Sequence, residues 1–453
     1  MSSAIFHRSV DKAYPEAVSG DGVYLITRTG QKILDGSSGA AVSCLGHNNA
    51  EVVDAIVAQA RSLNFAHTHF FTSDPAEQLA SHLLAESREA FAKVMFLCSG
   101  SEAVESALKV ARQFHVYRGE PGRVNFIGRV HSYHGNTLGA LSAGNNPARR
   151  ATFEPVLSPA FHHVSRCFYG ADGQGRSEEE YEDALIAEFE AKANELGPQT
   201  VAAIIVEPVV GATLGAAAAT KTYLPRLRQL CDRHGILLIF DEVMCGMGRS
   251  GTYHAWEQLG GVAPDLQTIG KGLSGGYQPL SAVLIGEKVY DVFEACSKDG
   301  EKFTNGHTFQ GHSVACAASL AVQKILKRDG LVQNVAKMGP LLQARIEEGL
   351  PTELVKLGAR MRGVGLFRAI DFGEAASAFG GALAGEVGEE TFKQGAAVYP
   401  CSSAVDAILF APPFIISSEE VVVLADTFLR ALGNVLARRR EQAPKSVNGH
   451  GRE

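Results

Sequence analysis

Three short stretches place reactive residue types where an apolar run stops. In "KVMFLCSGSEA", Ser99-Gly100-Ser101-Glu102 leads directly into a segment with helical spacing. The free N–H groups and dipole of a helix start favour a phosphate there, and the same residues also suit a plain serine N-cap. In "GILLIFDEV", Asp241 ends a continuous apolar run, as a cap, an ion-pair partner or a ligand contact. In "DLQTIGKGLSGG", Lys271 lies between Gly270 and Gly272, thirty positions beyond Asp241 (271 − 241). A lysine so placed can approach a ligand out of water, which lowers its pKa and makes the amine a nucleophile.

A fourth stretch competes with these. Gly246, Gly248 and Gly251 form G-x-G-x-x-G, but Asp-Glu-Val-Met-Cys separates them from the strand, whereas a dinucleotide site wants glycines directly between strand and helix. The glycines are therefore expected to let a loop turn beside the active site, and an NAD-dependent oxidoreductase is a distant alternative. His131 and His134 are three apart without an H-E-x-x-H or a matching third ligand, so no metal site is expected.

Short β-branched runs alternate with helical spacing along the middle of the chain. "VMFLC" precedes "SEAVESALKVARQF", "VAAIIVEP" precedes "YLPRLRQLCDRHG", and "ILLIF" and "DLQTIG" follow. The pattern predicts an α/β fold whose mostly parallel sheet, of the seven-stranded type, is flanked by helices. Ligands collect outside the carboxyl ends of such strands, where Ser99, Asp241 and Lys271 fall. Ala103, Val104, Ala107, Leu108, Ala111 and Phe114 define one helix face over Ser101 to Phe114. Upstream, "GVYLITRTGQKILDG" reads as a hairpin and "NAEVVDAIVAQARSL" as a helix with Val52, Val53, Ile56, Val57 and Ala60 on one side. Downstream, Ser417-Ser418-Glu419-Glu420 reads as a capping-box start to the last long helix. "GADGQGRSEEE" reads as a polar surface loop, and "RRREQAPKSVNGHGRE" as a frayed tail. The expected organisation is a large domain over 66–330, a smaller α+β lobe built from 1–65 and 331–440, and a tail over 441–453.

The totals agree with a soluble enzyme-sized chain: 453 residues, 45% apolar, 20% charged. A net charge of −7 argues against nucleic acid as the main partner. Eight cysteines without C-x-x-C suit a reducing compartment, and the absence of a long apolar segment leads to the expectation of a cytoplasmic protein without membrane contact.

A phosphate cradle, an acid and a nucleophilic lysine are the parts that pyridoxal 5'-phosphate requires. Taken with neighbouring motifs, the chain resembles the class-III (ω-type) pyridoxal-phosphate aminotransferases of fold type I, from about Gly20 to Leu436. The resemblance implies that Gly100 and Ser101 of "SGSEA" hold the cofactor phosphate. It implies that Tyr133 of "HSYHGNT" stacks on the pyridine ring, beside His134 and Gly135. Asp241 of "FDEV" would pair with the ring N–H while Val243 packs on the other face, and Lys271 would be the Schiff-base lysine. Glu207 of "EPVVG" would lie near cofactor or substrate. Thr308 of "NGHTFQGH" would reach the cofactor of a neighbouring subunit, making a homodimer. The implied reaction is a ping-pong transfer of an amino group from an amine or ω-amino acid to a 2-oxo acid such as pyruvate. Racemases, aminomutases and decarboxylases on the same fold are the alternative. In "AILFAPPFII", Leu409 stands where many relatives carry a carboxylate-binding arginine. That difference leads to two expectations: Arg368 or Arg149 binds the carboxylate instead, or Phe70, Phe71 and Leu409 form an apolar rim for a less polar amine.

Overall fold

In the computed structural model the described residues are 4–402 and 404–442. The centre is a seven-stranded sheet. In spatial order its strands are Lys93–Leu97, Ser281–Ile285, Leu266–Ile269, Leu237–Asp241, Val201–Val206, Asn125–Arg129 and Phe161–Val164. Ser281–Ile285 runs antiparallel to both neighbours, while the pairs on its far side are parallel. Every residue of Val201–Val206 and Leu237–Asp241 is buried, as an apolar strand covered on both faces requires.

Helix Gly100–Tyr117 covers one face with the side expected, Ala103, Val104, Ala107, Leu108, Ala111 and Phe114 all being buried. Ser99 and Glu102 close a capping box at its start. Ser417 and Glu420 close another, Glu420 N–H donating to Ser417 Oγ at 3.2 Å, before helix Ser418–Gln442. A third was hidden inside the expected surface loop near residue 175: Ser177 caps helix Glu178–Leu196, and only residues 173–176 form a turn, closed by Arg176 N–H donating to Gly173 O at 3.0 Å. The helix also continues through Glu441 and Gln442; the remainder of the expected tail, 443–453, lies outside the described residues.

The two chain ends meet in small sheets. Strands Tyr24–Thr27 and Lys32–Asp35 form the expected hairpin, and Ala396–Ala397 pairs in parallel with Lys32–Asp35. Arg360–Val364, Phe367–Asp371, Ala407–Phe410 and Tyr399–Pro400 make a second four-stranded sheet. Helix Ala50–Ser62 differs from its expected packing. Only Val52 is buried, while Val53 and Val57 remain about two-fifths exposed at 39% and 40%, because among the described residues nothing covers that flank.

The glycines of "GMGRSG" serve the junction between lobes. A Cβ at Gly248 would meet Phe414 and Val332 at 3.0 Å, and one at Gly251 would meet Gly365 Cα at 3.5 Å. Both have positive φ (92° and 95°), so backbone freedom and close approach are needed together. The loop leaves the cavity wall at Met244; Gly248 and Gly251 pack lobe against lobe, a Cβ at Gly246 would meet Glu242 Oε2 at 2.8 Å within the loop itself, and none of the three lines the cavity.

Candidate active site

A cavity of about 470 Å³ opens at the carboxyl end of the large sheet. Its inner wall is made by the strand ends that the sequence singles out. Asp241 and Thr268 are direct neighbours in the parallel register, so Thr268 Oγ1 donates to Asp241 Oδ1 at 3.0 Å. Val243 N–H donates to the same oxygen at 3.1 Å, and His134 Nδ1 bonds Oδ2 at 2.8 Å. Oδ2 keeps a lone pair free for one further donor. Asp241 is 5% exposed, and it is oriented from three sides.

Lys271 follows strand Leu266–Ile269 and starts a tight turn, Ser274 and Gly275 N–H both donating to its carbonyl. Its φ of 46° is left-handed, a conformation that costs a non-glycine residue about 1–3 kcal/mol and is held by surroundings. Those surroundings are visible: Gln323, from helix Ser313–Arg328, donates to Gly272 O and Leu273 O at 3.1 and 2.8 Å. Burial pushes the Lys271 amine below its ordinary pKa, with Asp241 and Glu207 opposing the shift. The shift is toward the neutral, nucleophilic form.

Opposite the lysine, helix Gly100–Tyr117 presents its N-terminus to the cavity. Gly100 and Ser101 line it, and Ser101 Oγ accepts from Asn136 N–H at 3.0 Å. Two glycines leave this corner open. A Cβ at Gly100 would meet Val243 Cγ1 at 2.7 Å, and one at Gly135 would meet Ser101 Oγ at 2.7 Å. Tyr133, His134 and Gly135 complete the wall. Glu207 Oε1 accepts from Tyr133 N–H at 3.0 Å and Oε2 from Gly211 N–H at 3.1 Å, so two backbone donors hold its carboxylate at the cavity wall. Burial, with Asp241 nearby, raises the Glu207 pKa above the usual carboxylate value.

The rim comes from elsewhere. Arg8, Asn146, Arg149 and the run Tyr399-Pro400-Cys401-Ser402 line the mouth. No motif marks Arg8, Asn146, Tyr399 or Ser402, because they reach the cavity only through the docking of separate segments. Ser402 N–H donates to Ala212 O at 3.0 Å, and Arg362 donates to Leu214 O and Gly215 O at 2.7 and 2.6 Å. These bonds fix the small lobe against the cavity edge.

Four expected substrate contacts are not brought to this cavity. Leu409 is fully buried within strand Ala407–Phe410, packed with Phe367 and Ala369. It belongs to a core, since alternation along the strand turns its side chain inward. Arg368 donates to Gly363 O, Gly365 O and Gln343 Oε1, which uses its guanidinium to tie a hairpin. Phe70 and Phe71 are 74% and 65% exposed and do not line the cavity of their own chain, and Thr308 is likewise exposed and outside it.

The inner wall fits pyridoxal phosphate. It combines a glycine-opened helix start for an anion, Tyr133 and Val243 for a flat ring, a buried carboxylate with a free lone pair for a ring N–H, and a desolvated lysine. Fold and site together define a pyridoxal-phosphate enzyme built on a doubly wound sheet.

Comparison with known proteins narrows that class. Residues 5–432 match the aminotransferase class-III family. An uncharacterised aminotransferase from Schizosaccharomyces pombe is 39% identical over 447 residues, covering 96% of this chain and 95% of the relative. A putrescine–pyruvate aminotransferase from Pseudomonas aeruginosa is 33% identical, covering 78% of this chain and 75% of its own. The solved omega transaminase from Pseudomonas jessenii in complex with PMP superposes with a TM-score of 0.88 at 30% identity, covering 94% of each chain. The chain belongs to the class-III aminotransferases. It is a pyridoxal-phosphate-dependent transaminase that moves an amino group to a keto acid. Among the described residues no helix is long and apolar enough to cross a membrane.

Proposed function

We propose that this chain exchanges amino groups between a primary amine or ω-amino acid and a small 2-oxo acid such as pyruvate, with Lys271 and Asp241 as its catalytic residues. When bound, pyridoxal phosphate supplies an electron-withdrawing ring that stores the electron pair released at the substrate carbon. Lys271 Nζ, kept toward its uncharged form by burial, would take a proton from that carbon and return it to the former carbonyl carbon of the cofactor, on the other side of the transferred nitrogen. Asp241 Oδ2 holds the ring N–H, and the His134, Thr268 and Val243 bonds keep the carboxylate aimed. Gly100 and Ser101 bind the phosphate, and Tyr133 and Val243 bracket the ring. Glu207 positions Tyr133 through its backbone N–H. The observation that carries the reading is the convergence of Lys271, Asp241 and the Gly100–Ser101 helix start on one cavity.

We infer a homodimer whose shared face includes Thr308. Segments 65–71 and 307–312 lie side by side, with Phe65 and Phe309 rings 5.7 Å apart and Phe70, Phe71 and Phe309 exposed. An apolar surface of this kind supports burial against a second copy, which would carry Thr308, Phe70 and Phe71 to the neighbouring cavity. The eight cysteines are all free, which suits a reducing compartment such as the cytoplasm. The test is the visible spectrum of the purified protein alongside K271A. A yellow band that bleaches with an amine and returns with pyruvate is expected for wild type only. A wild type that stays colourless after incubation with pyridoxal phosphate would overturn the reading.

A further inference from the structure

Two adjacent arginines on the short helix Pro147–Arg150 behave differently. Arg150 is fully engaged: it donates to Gly144 O and Ser142 O at 2.6 and 3.0 Å and pairs with Glu154 at 3.1 Å. Arg149 lines the cavity, half-buried, with its guanidinium carbon 5.0 Å from the centre of the Tyr133 ring. Its backbone N–H donates to Asn146 O at 3.0 Å, but among the described residues its guanidinium has no hydrogen bond or ion pair.

A cation held over an aromatic face beside a cavity, without a counter-charge, is matched to an anion that arrives with a ligand. The two carboxylates lining the cavity do not serve as that counter-charge. Asp241 is held by three donors of its own, and Glu207 accepts from two backbone N–H groups. Arg8, exposed on the N-terminal segment, adds a second positive charge at the same mouth. The other two positions that might have met a carboxylate are spent in packing, Leu409 in the core and Arg368 on carbonyls.

We propose that Arg149 is the carboxylate anchor of the substrate site, clamping the acceptor 2-oxo acid by its guanidinium fork and standing empty while an uncharged amine donor reacts. This rests on the transaminase reading and adds to it the residue that makes one cavity accept both a neutral donor and an anionic acceptor. Held 5.0 Å over the Tyr133 ring, the guanidinium is restrained before the ligand arrives, which lowers the ordering cost of two parallel N–H···O bonds to a carboxylate. Lysine offers a charge without that fork, so it replaces Arg149 only in part.

The experiment compares wild type, R149M and R149K as yellow holoenzymes, the colour reporting that each variant folds and holds its cofactor. With butylamine as donor, the two acceptors are the small carbonyl compounds pyruvate and propanal, of which only pyruvate carries a carboxylate. R149M is expected to lower the preference for pyruvate over propanal by roughly 10–100-fold, with R149K between. Calorimetric titration with propionate, which carries the carboxylate without the reacting carbonyl, is expected to show binding to wild type and weakened binding to R149M. If R149M loses pyruvate and propanal turnover in equal proportion, or binds propionate as wild type does, the anchor lies elsewhere and the proposal falls. If wild type exchanges no amino group with any acceptor, the transaminase reading fails instead, and the propionate titration still decides the anion site.

Discussion

The inner wall and the rim of the cavity are built on opposite plans. Wall residues sit at strand ends or a helix start within one continuous stretch from Gly100 to Lys271, and their side chains are largely fixed by hydrogen bonds inside the large lobe. Rim residues come from Arg8, the Arg149 turn and the Tyr399–Ser402 run, with few bonds of their own. Chemistry common to many substrates is thus placed on strand ends and a helix start, and discrimination is left to the surrounding turns and loops, some from the same lobe and some from the other.

The sharpest way to break this contrast is to remove wall residues and find the effect no larger than at the rim. K271A should lose visible absorbance and lower turnover by roughly 10²–10⁴-fold or more, measured as kcat with any donor. D241N should keep the fold and cost about 10²–10³-fold in kcat, on the scale of losing one preorganised electrostatic partner. A D241N enzyme with wild-type kcat would remove Asp241 from the wall's chemistry. Leu409 tests the boundary from the other side: L409A should lower unfolding free energy by about 2–5 kcal/mol while leaving the donor preference unchanged. A changed preference without a stability loss would return Leu409 to the rim. G100A should weaken pyridoxal-phosphate retention by about 1–3 kcal/mol, because its Cβ would press on Val243, and dialysis followed by absorbance measures this.

The smallest effect concerns the layer behind the wall. His254 accepts from Gln267 Nε2 at 2.8 Å and lies 3.0 Å from Ser87 Oγ, and burial pushes its pKa down from 6.5 to about 3. The folded protein therefore keeps the ring neutral where the unfolded chain would protonate it. Stability from this source is fully present above pH 6.5 and is lost as pH falls from there toward 3, by at most roughly 1.4 kcal/mol per pH unit. Melting temperatures at pH 7 and about pH 5.5 should differ less in H254Q than in wild type; equal slopes would assign the acid sensitivity to other groups.

How much of this was legible beforehand follows the same division. Asp241 and Lys271 could be found because a buried parallel strand leaves a continuous apolar run, and a polar residue at its end stands out. The helix from Gly100 announced its buried face by spacing alone. The bond between His134 and Asp241 joins residues 107 positions apart, and no periodicity encodes it. Distinguishing Arg149 from Arg368 needed the fold, since both are arginines near glycines and only the three-dimensional path shows that Arg368 is tied to carbonyls while Arg149 lies over Tyr133. Val53 and Val57 carried a true helical pattern, but the pattern reports an apolar side without saying what covers it.

The pairing of Ala397 with Asp35 has a consequence for biosynthesis. The two partners are separated by 362 positions (397 − 35), so at translation rates of about 5–20 residues per second the N-terminal hairpin waits roughly 20–70 s for the strand that completes its sheet. All seven strands of the large sheet have been made once Ile285 emerges, well before that. A nascent chain would thus carry a finished cofactor wall while its other lobe still shows an open β-edge, and the ribosome-bound intermediate is the form most exposed to mispairing with another copy.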